Sequence, residues 1–377
     1  MKQPLLAWFL ICTLLIAAAP HQQSFDPSPP ATTVKLIFIH HSTGENWLTD
    51  GYGNLGQALN ENNYFVSDTN YGWGPNSIGD RTDIPNWTEW FRSSDTPTYM
   101  QALFNETEQH ANYTRTLPDP GGENEIILFK SCFPNSALSG SPNDPPGSNE
   151  ELSVSGAKYV YNQILPYFAS RPDKLFIVIT APPLSDPTDS ANARAFNDWL
   201  VNNWLSENNY QLNNVAVFDF YNILTDPNAH HRFQDGRIEH LRGSRNTLYY
   251  PSGDDHPSEA GSRKATEEFV PLLNVLYHRW KESTPLQPTL PAPPTAAQPA
   301  PLPTSAPPGS PLLDDFEQFP QPGTGGWQTF WDQATATRLS CAPSTHQARQ
   351  GAQALQLDFD LPRSEERRVG KECRSRW

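Results

Sequence analysis

The residues whose types suit catalysis lie in two polar loops, one near each end of an alternating pattern of strands and helices. Ser42 follows the apolar run of residues 36–39, and Asp254, Asp255 and His256 precede the last predicted helix. A serine hydroxyl, an imidazole and a carboxylate are the groups of an acyl-transfer site, in which the imidazole takes the proton of the attacking hydroxyl. Parallel strands end at one shared edge of their sheet, so the two loops can meet there. This pattern predicts Ser42 as nucleophile and His256 as base.

Two acidic residues compete for the role of orienting His256. Asp254 reaches the imidazole only if the loop turns tightly, and Gly253 before it gives the backbone that freedom. Asp255 is adjacent to the histidine and is expected to point away, where it caps or solvates the loop. The sequence therefore predicts Asp254 as the orienting acid, with Asp255 as the alternative.

Four other interpretations of these residues stay open. Ser42 can be a helix cap, and Cys132 is a competing nucleophile. Histidine and aspartate also bind metals that activate water, and the candidates are His40, His41, His230, His231, His240 and the 254–256 loop. Adjacent histidines at a strand end point to opposite faces, and His230 with His231 is expected in a solvated loop, so no metal and no cofactor is predicted. The fourth interpretation is a glycan-binding module without catalysis.

The elements that position these loops follow from hydrophobic periodicity. Short apolar runs predict five strands at residues 36–39, 64–66, 125–129, 175–180 and 215–220. Helical patterns predict helices over residues 54–62, 154–168, 191–205 and 261–281. Strands that alternate with helices predict an α/β domain with a parallel sheet covered on both faces.

One long segment, residues 72–122, has no clean period and is rich in aromatic residues. Its rings are Trp73, Trp87, Trp90, Tyr99 and Tyr113. They are expected to pack on the domain, and the alternative is a wall over the site that stacks on a sugar or an aryl group.

Four short blocks resemble the SGNH/GDSL hydrolases, over residues 34–280. That family places a serine after the first strand, a glycine after the second, an asparagine after the third and an acid with a histidine before the last helix. The corresponding residues here lie in residues 38–42, 70–74, 130–135 and 254–256. His40-His41 replaces the family's Gly-Asp, the third block lacks the Gly-x-Asn-Asp form, and Gly253 stands three before the histidine, where the family has its acid.

The resemblance implies a three-layer, flavodoxin-like sandwich with a five-stranded parallel sheet. It implies catalysis by Ser42, His256 and Asp254, with His41 as a supporting residue. The oxyanion donors that it implies are the Ser42 N–H, Gly72 or Gly74, and the Asn135 amide. The expected activity is hydrolysis of carboxyl esters, with acetyl or similar groups on carbohydrate as the expected substrates and no cofactor.

Composition predicts the domain organisation. Residues 1–19 read as a secretory signal peptide, so the protein is expected to be secreted, with no membrane span after signal removal. Residues 33–282 are the predicted hydrolase domain and residues 283–311 a proline-rich linker. Residues 312–362 resemble a truncated β-sandwich of a carbohydrate-binding module, and residues 363–377 resemble an artefactual tail. A net charge of −15 excludes nucleic acid as the expected partner.

Overall fold

Five parallel strands form the central sheet of the computed structural model, which describes residues 25–234, 237–283, 338–344 and 354–360. The strands are β1 (Val34–Ile39), β2 (Tyr64–Thr69), β3 (Ile126–Lys130), β4 (Leu175–Ile179) and β5 (Val215–Phe218), in the spatial order β2-β1-β3-β4-β5. Every neighbouring pair is parallel. The predicted α/β class and the five-stranded parallel sheet are therefore confirmed.

Nine α-helices occur in the described residues. They are α1 (Ser42–Leu48), α2 (Leu55–Glu61), α3 (Trp87–Arg92), α4 (Thr96–Asn105), α5 (Val154–Ala169), α6 (Ser190–Asn202), α7 (Trp204–Glu207), α8 (Phe220–Thr225) and α9 (Glu259–Ser283). None of these helices is both long and apolar enough to cross a membrane.

The alternation of side chains along β1 divides the core into two layers. Ile37 and Ile39 belong to the cluster on the face covered by α3 to α7. Leu36 and Phe38 belong to the cluster on the opposite face, with residues of α1, α2, α8 and α9. Successive residues of a strand point to opposite faces, so a strand of nearly unbroken apolar residues requires helices on both sides. The result is the three-layer, flavodoxin-like arrangement.

The aromatic segment 72–122 packs on the domain. Its five rings, Trp73, Trp87, Trp90, Tyr99 and Tyr113, are all buried, and α3 and α4 lie within it. Trp73 stacks on Trp90 with ring centroids 6.0 Å apart. The alternative in which these rings stack on a substrate is wrong. An exposed aromatic ring, that of Tyr71, lies one residue before the segment.

A hairpin corrects the expectation of a solvated loop at His230 and His231. Strands β6 (His230–Gln234) and β7 (Arg237–Leu241) pair antiparallel beside α9. The His231 side chain is 3% exposed, and its Nδ1 lies 3.3 Å from Glu268 Oε2. His230 is exposed, as the loop prediction required. The sequence missed the hairpin because β6 is mostly polar.

The chain divides into two units, Met1–Pro288 and Thr289–Trp377. In the second unit, β8 (Arg338–Ser344) pairs antiparallel with β9 (Ala354–Asp360). Both strands fall in the predicted β-sandwich segment, 312–362. The predicted signal peptide (1–19), residues 284–311 of the predicted linker and the predicted tail (363–377) lie outside the described residues.

Candidate active site

Ser42 and His256, which are far apart in the chain, lie in hydrogen-bond contact at the carboxyl edge of the sheet. β1 ends at Ile39, and Ser42 is the first residue of α1. The Ser42 Oγ to His256 Nε2 distance is 2.9 Å. Ser42 is not the helix cap, since the capping position is His41 and no side chain there accepts a helix N–H. The hydroxyl is thus free to face the histidine.

The loop before α9 brings Asp254 to the other nitrogen of the same imidazole. Asp254 Oδ2 lies 3.0 Å from His256 Nδ1, and its Oδ1 accepts the His256 backbone N–H at 2.8 Å. Gly253 has φ +117°, a conformation that glycine adopts freely and that allows the tight turn. Ser252 Oγ also donates to Asp254. The backbone N–H of His256, then the Ser252 hydroxyl, lower the pKa of Asp254 to about 2.

The ionised state of Asp254 fixes the direction of the two hydrogen bonds made by the His256 ring. An ionised carboxylate only accepts, so Nδ1 of His256 carries a proton and donates it to Asp254. In the neutral ring Nε2 is then the acceptor, and the Ser42 hydroxyl donates to it. That tautomer is the one a general base requires.

Asp255 turns away from the histidine. Its Oδ1 accepts the backbone N–H of Ser185 at 2.8 Å. Ser185 lies in the loop after β4, so this contact ties the 254–256 loop to a neighbouring strand end. The structure therefore pairs Asp254 with the imidazole and gives Asp255 an anchoring contact.

His40 and His41 point in opposite directions. His40 is fully buried, and its two ring nitrogens face Asp68 Oδ2 at 2.9 Å and the His41 carbonyl at 3.0 Å. The His41 ring contacts the Gly79 carbonyl at 2.6 Å and the Thr82 hydroxyl at 3.0 Å. Burial lowers the pKa of His41, so the neutral ring donates to Gly79 and accepts from Thr82.

The separation of these two rings bears on the metal alternative. No group of three or more histidine, cysteine, aspartate or glutamate side chains arranged to hold a metal occurs among the described residues. His231 and His240 do approach each other, with ring centroids 4.7 Å apart, but they lie in the hairpin and not beside Ser42.

The residues predicted as oxyanion donors differ in what they contact. Gly72 donates its N–H to Asp80 Oδ1 at 2.7 Å, which removes it from the donors available in this arrangement. Gly74 has φ +76°, and its carbonyl accepts the Ser77 N–H at 3.1 Å. The Asn135 amide donates one N–H to Asp83 at 2.6 Å. A carboxamide has two N–H donors, so one remains.

Sequence reasoning missed two side chains beside Ser42. Tyr71 is 62% exposed, and its ring stacks on His41 with centroids 3.8 Å apart. Lys130, the last residue of β3, is fully buried. A charged residue at the end of an apolar run gave no signal that it would be enclosed. Phe133 forms a further wall, with its ring edge to face on His256 at 4.8 Å.

Comparison with known proteins adds only weak similarity. No protein-family model matches the sequence, and no curated protein sequence matches it. Among solved structures, the chain is similar to a family two carbohydrate esterase from Cellvibrio japonicus, with 12% identity and a TM-score of 0.31. That alignment covers 67% of this chain and 63% of the esterase chain, which is less than two thirds of its length. A second structure aligns at 13% identity and a TM-score of 0.29, over 63% of this chain and 94% of its own.

Proposed function

We propose that the protein is a serine hydrolase that cleaves carboxyl esters through an acyl-enzyme. One observation carries the proposal: a continuous hydrogen-bonded chain from Ser42 Oγ through His256 to Asp254, with distances of 2.9 Å and 3.0 Å. Nucleophile, base and orienting acid come from two loops at the same sheet edge, which is the arrangement that acyl transfer needs.

The mechanism follows from the tautomer. Ser42 Oγ attacks the ester carbonyl carbon while His256 Nε2 takes its proton, and the resulting imidazolium is stabilised by the carboxylate of Asp254. The imidazolium returns the proton to the leaving alcohol as the bond to carbon breaks. Water then attacks the acyl-enzyme, His256 takes a proton from it, and the acid is released with Ser42 regenerated. Each proton moves through the same ring nitrogen.

The oxyanion requires donors that are not already committed. Ser42 is the first residue of α1, where a backbone N–H has no acceptor within the helix, and this N–H contacts the hydroxyl of the exposed Tyr71, which a substrate oxygen would have to replace. We propose this N–H, the second amide N–H of Asn135 and the N–H of Gly74 as the donors. Gly72 is left out because its N–H is bonded to Asp80. Removal of one such donor typically lowers turnover by about 10²- to 10³-fold.

The substrate proposed is an ester on a carbohydrate, with acetyl or a similar acyl group. Tyr71 supports this, because an exposed ring held flat against His41 presents a face on which a sugar can stack. The Phe133 ring at His256 narrows the site and suits a small acyl group. Export by the predicted signal peptide at residues 1–19 belongs to the same proposal, since polysaccharide esters lie outside the cell.

Active-serine labelling tests the proposal. A fluorophosphonate should label the full chain once, at Ser42, and hydrolysis of acetyl esters should disappear in Ser42→Ala while the circular dichroism spectrum stays unchanged. Ser170→Ala is the matched control, because Ser170 is an exposed serine at the end of α5. Hydrolysis that survives in Ser42→Ala but is lost in Cys132→Ser would overturn the serine mechanism. Loss of activity on treatment with a chelator would favour the metal alternative.

A further inference from the structure

Lys130 places a cation in the interior beside the candidate nucleophile. Its Nζ lies 3.6 Å from Cys132 Sγ and 3.4 Å from the Ser131 carbonyl. Within the described residues, no carboxylate forms an ion pair with it, although its side chain is fully buried. Burial lowers the pKa of Lys130, because an ammonium without a counter-charge is costly in the interior, and a negative charge on Cys132 opposes that shift. The group placed to supply that charge is the sulfur of Cys132.

Cys132 lies between this cation and the reacting hydroxyl. Its Sγ is 4.0 Å from Ser42 Oγ, and the side chain is half-buried, so small molecules can reach it. Burial by itself raises the pKa of the thiol, but the Lys130 ammonium and contacts from Thr43 and Ser42 outweigh it and leave that pKa below its ordinary value. Thiolate is the reactive form of cysteine.

From this cluster we infer that Cys132 and Lys130 form a thiol modification site that takes small disulfides and thiosulfonates, and that an adduct on Cys132 closes the Ser42 site. Cys132 is the only cysteine between residues 25 and 283. The pairing with a buried cation and the position against Ser42 separate it from an ordinary core cysteine.

The chemistry is a thiol exchange and needs no oxidant beyond the reagent. The Cys132 thiolate attacks one sulfur of the reagent, a new S–S bond forms, and the original bond to that sulfur breaks. The leaving group departs as a thiolate from a disulfide or as a sulfinate from a thiosulfonate. A reducing thiol reverses the reaction by attacking the new disulfide.

An adduct on Cys132 blocks the Ser42 site because the two side chains are close to each other. This part of the inference rests on the proposed function. An ester carbon must come to about 3–3.5 Å from Ser42 Oγ before attack. A methylthio group bonded to a sulfur only 4.0 Å from that oxygen fills the same space. The adduct also neutralises the thiolate, which leaves the Lys130 ammonium without its counter-charge.

The experiment treats the full chain with methyl methanethiosulfonate near pH 6 and follows the Cys132 peptide by mass spectrometry. Cys132 should react at least about 10-fold faster than N-acetylcysteinamide, since an unperturbed thiol is mostly protonated at that pH. Phosphonate labelling of Ser42 should fall in proportion to modification, and dithiothreitol should restore it. In the Cys132→Ser variant, treatment with the reagent should leave the rate of phosphonate labelling of Ser42 the same as in the untreated variant.

Lys130→Met tests the role of the cation, because methionine keeps the length and removes the charge. Its Cys132 should react about 10-fold more slowly than wild type. If that variant does not fold, the comparison with N-acetylcysteinamide still decides the matter. The inference is overturned if Cys132 of the wild type reacts no faster than N-acetylcysteinamide. It is also overturned if Cys132 is fully modified and the phosphonate labelling of Ser42 is unchanged. Failure of the proposed function is distinguishable, because Ser42 would then resist phosphonate before any thiol treatment.

Discussion

The Asp68 carboxylate and the His40 imidazole form a fully buried pair directly beneath the turn that carries Ser42, with Oδ2 and Nε2 2.9 Å apart. Two more groups, the His110 N–H and the Tyr113 hydroxyl, donate to the same carboxylate at 2.9 Å each. Burial by itself raises the pKa of Asp68, but the hydrogen bond and charge of His40 outweigh it and lower that pKa. The other ring nitrogen of His40 faces the His41 carbonyl at 3.0 Å, so both nitrogens of the ring lie against oxygen atoms.

Removal of that carboxylate should destabilise the protein strongly. Asp68→Ala leaves His40 and the His110 N–H without this acceptor, and breaking a buried pair from one side costs about 3–5 kcal/mol. Asp68→Asn is the matched control, because its amide can donate to a neutral His40 and still accept from Tyr113. We expect a smaller loss for Asp68→Asn in urea denaturation at neutral pH. Equal losses would contradict the pairing.

The same pair predicts a pH dependence of stability. The folded pKa of Asp68 lies below its ordinary value of 3.8, so the stability that the charge contributes is fully present above that value. It is lost as the pH falls through the folded pKa. The free energy of unfolding of wild type minus that of Asp68→Asn should therefore stay constant above pH 3.8 and shrink below it. A difference that shrinks already near neutral pH would assign the effect to a histidine.

Tyr71 should determine the preference for sugar esters. Tyr71→Ala removes the stacking face and is expected to raise KM for an acetylated sugar by about 5-fold, in line with about 1 kcal/mol for an aromatic contact. Hydrolysis of a small aryl acetate should change little, because its acyl group meets Ser42 without a sugar to stack. Tyr71→Phe keeps the ring and is the control. Equal losses on both substrates would show that Tyr71 supports His41 and not the substrate.

The sequence predicted the sheet better than it predicted the surroundings of the site. Apolar strands buried on both faces are visible as continuous hydrophobic runs, which is why all five were found. Lys130 is the charged residue at the end of such a run, and the neighbouring sequence does not indicate whether its side chain faces solvent or the interior. The exposure of Tyr71 and the burial of Trp73 depend on how residues 72–122 fold back, which is set by contacts between residues distant in the chain.

Limited proteolysis should separate a stable hydrolase domain from the rest of the chain. Residues 285–311 contain eleven prolines and no charged residue, a composition that predicts an extended, accessible spacer. Trypsin has no site there, so proteinase K is the better reagent. We expect a resistant fragment that ends soon after α9, near Ser283, and that retains phosphonate labelling at Ser42. A fragment that unfolds or loses labelling would show that residues beyond α9 stabilise the domain.

The contacts of Asp254 and Asp255 predict opposite results for two otherwise identical substitutions. Asp254→Asn keeps the shape of the loop but loses the charge that stabilises the imidazolium and fixes the tautomer, so kcat should fall by about 10²- to 10⁴-fold with little change in KM. Asp255→Asn keeps an oxygen that can accept the Ser185 N–H, so kcat should change by less than about 10-fold.

Both variants should be assayed on the same acetyl ester across a pH series. Because the pKa of Asp254 is about 2, its carboxylate stays ionised across an ordinary assay series, so a change in wild-type activity over that series does not come from Asp254. A larger loss in Asp255→Asn would transfer the orienting role to that residue. Small losses in both would mean that neither carboxylate orients the base, and that the 3.0 Å contact between Asp254 and His256 serves only to fold the loop.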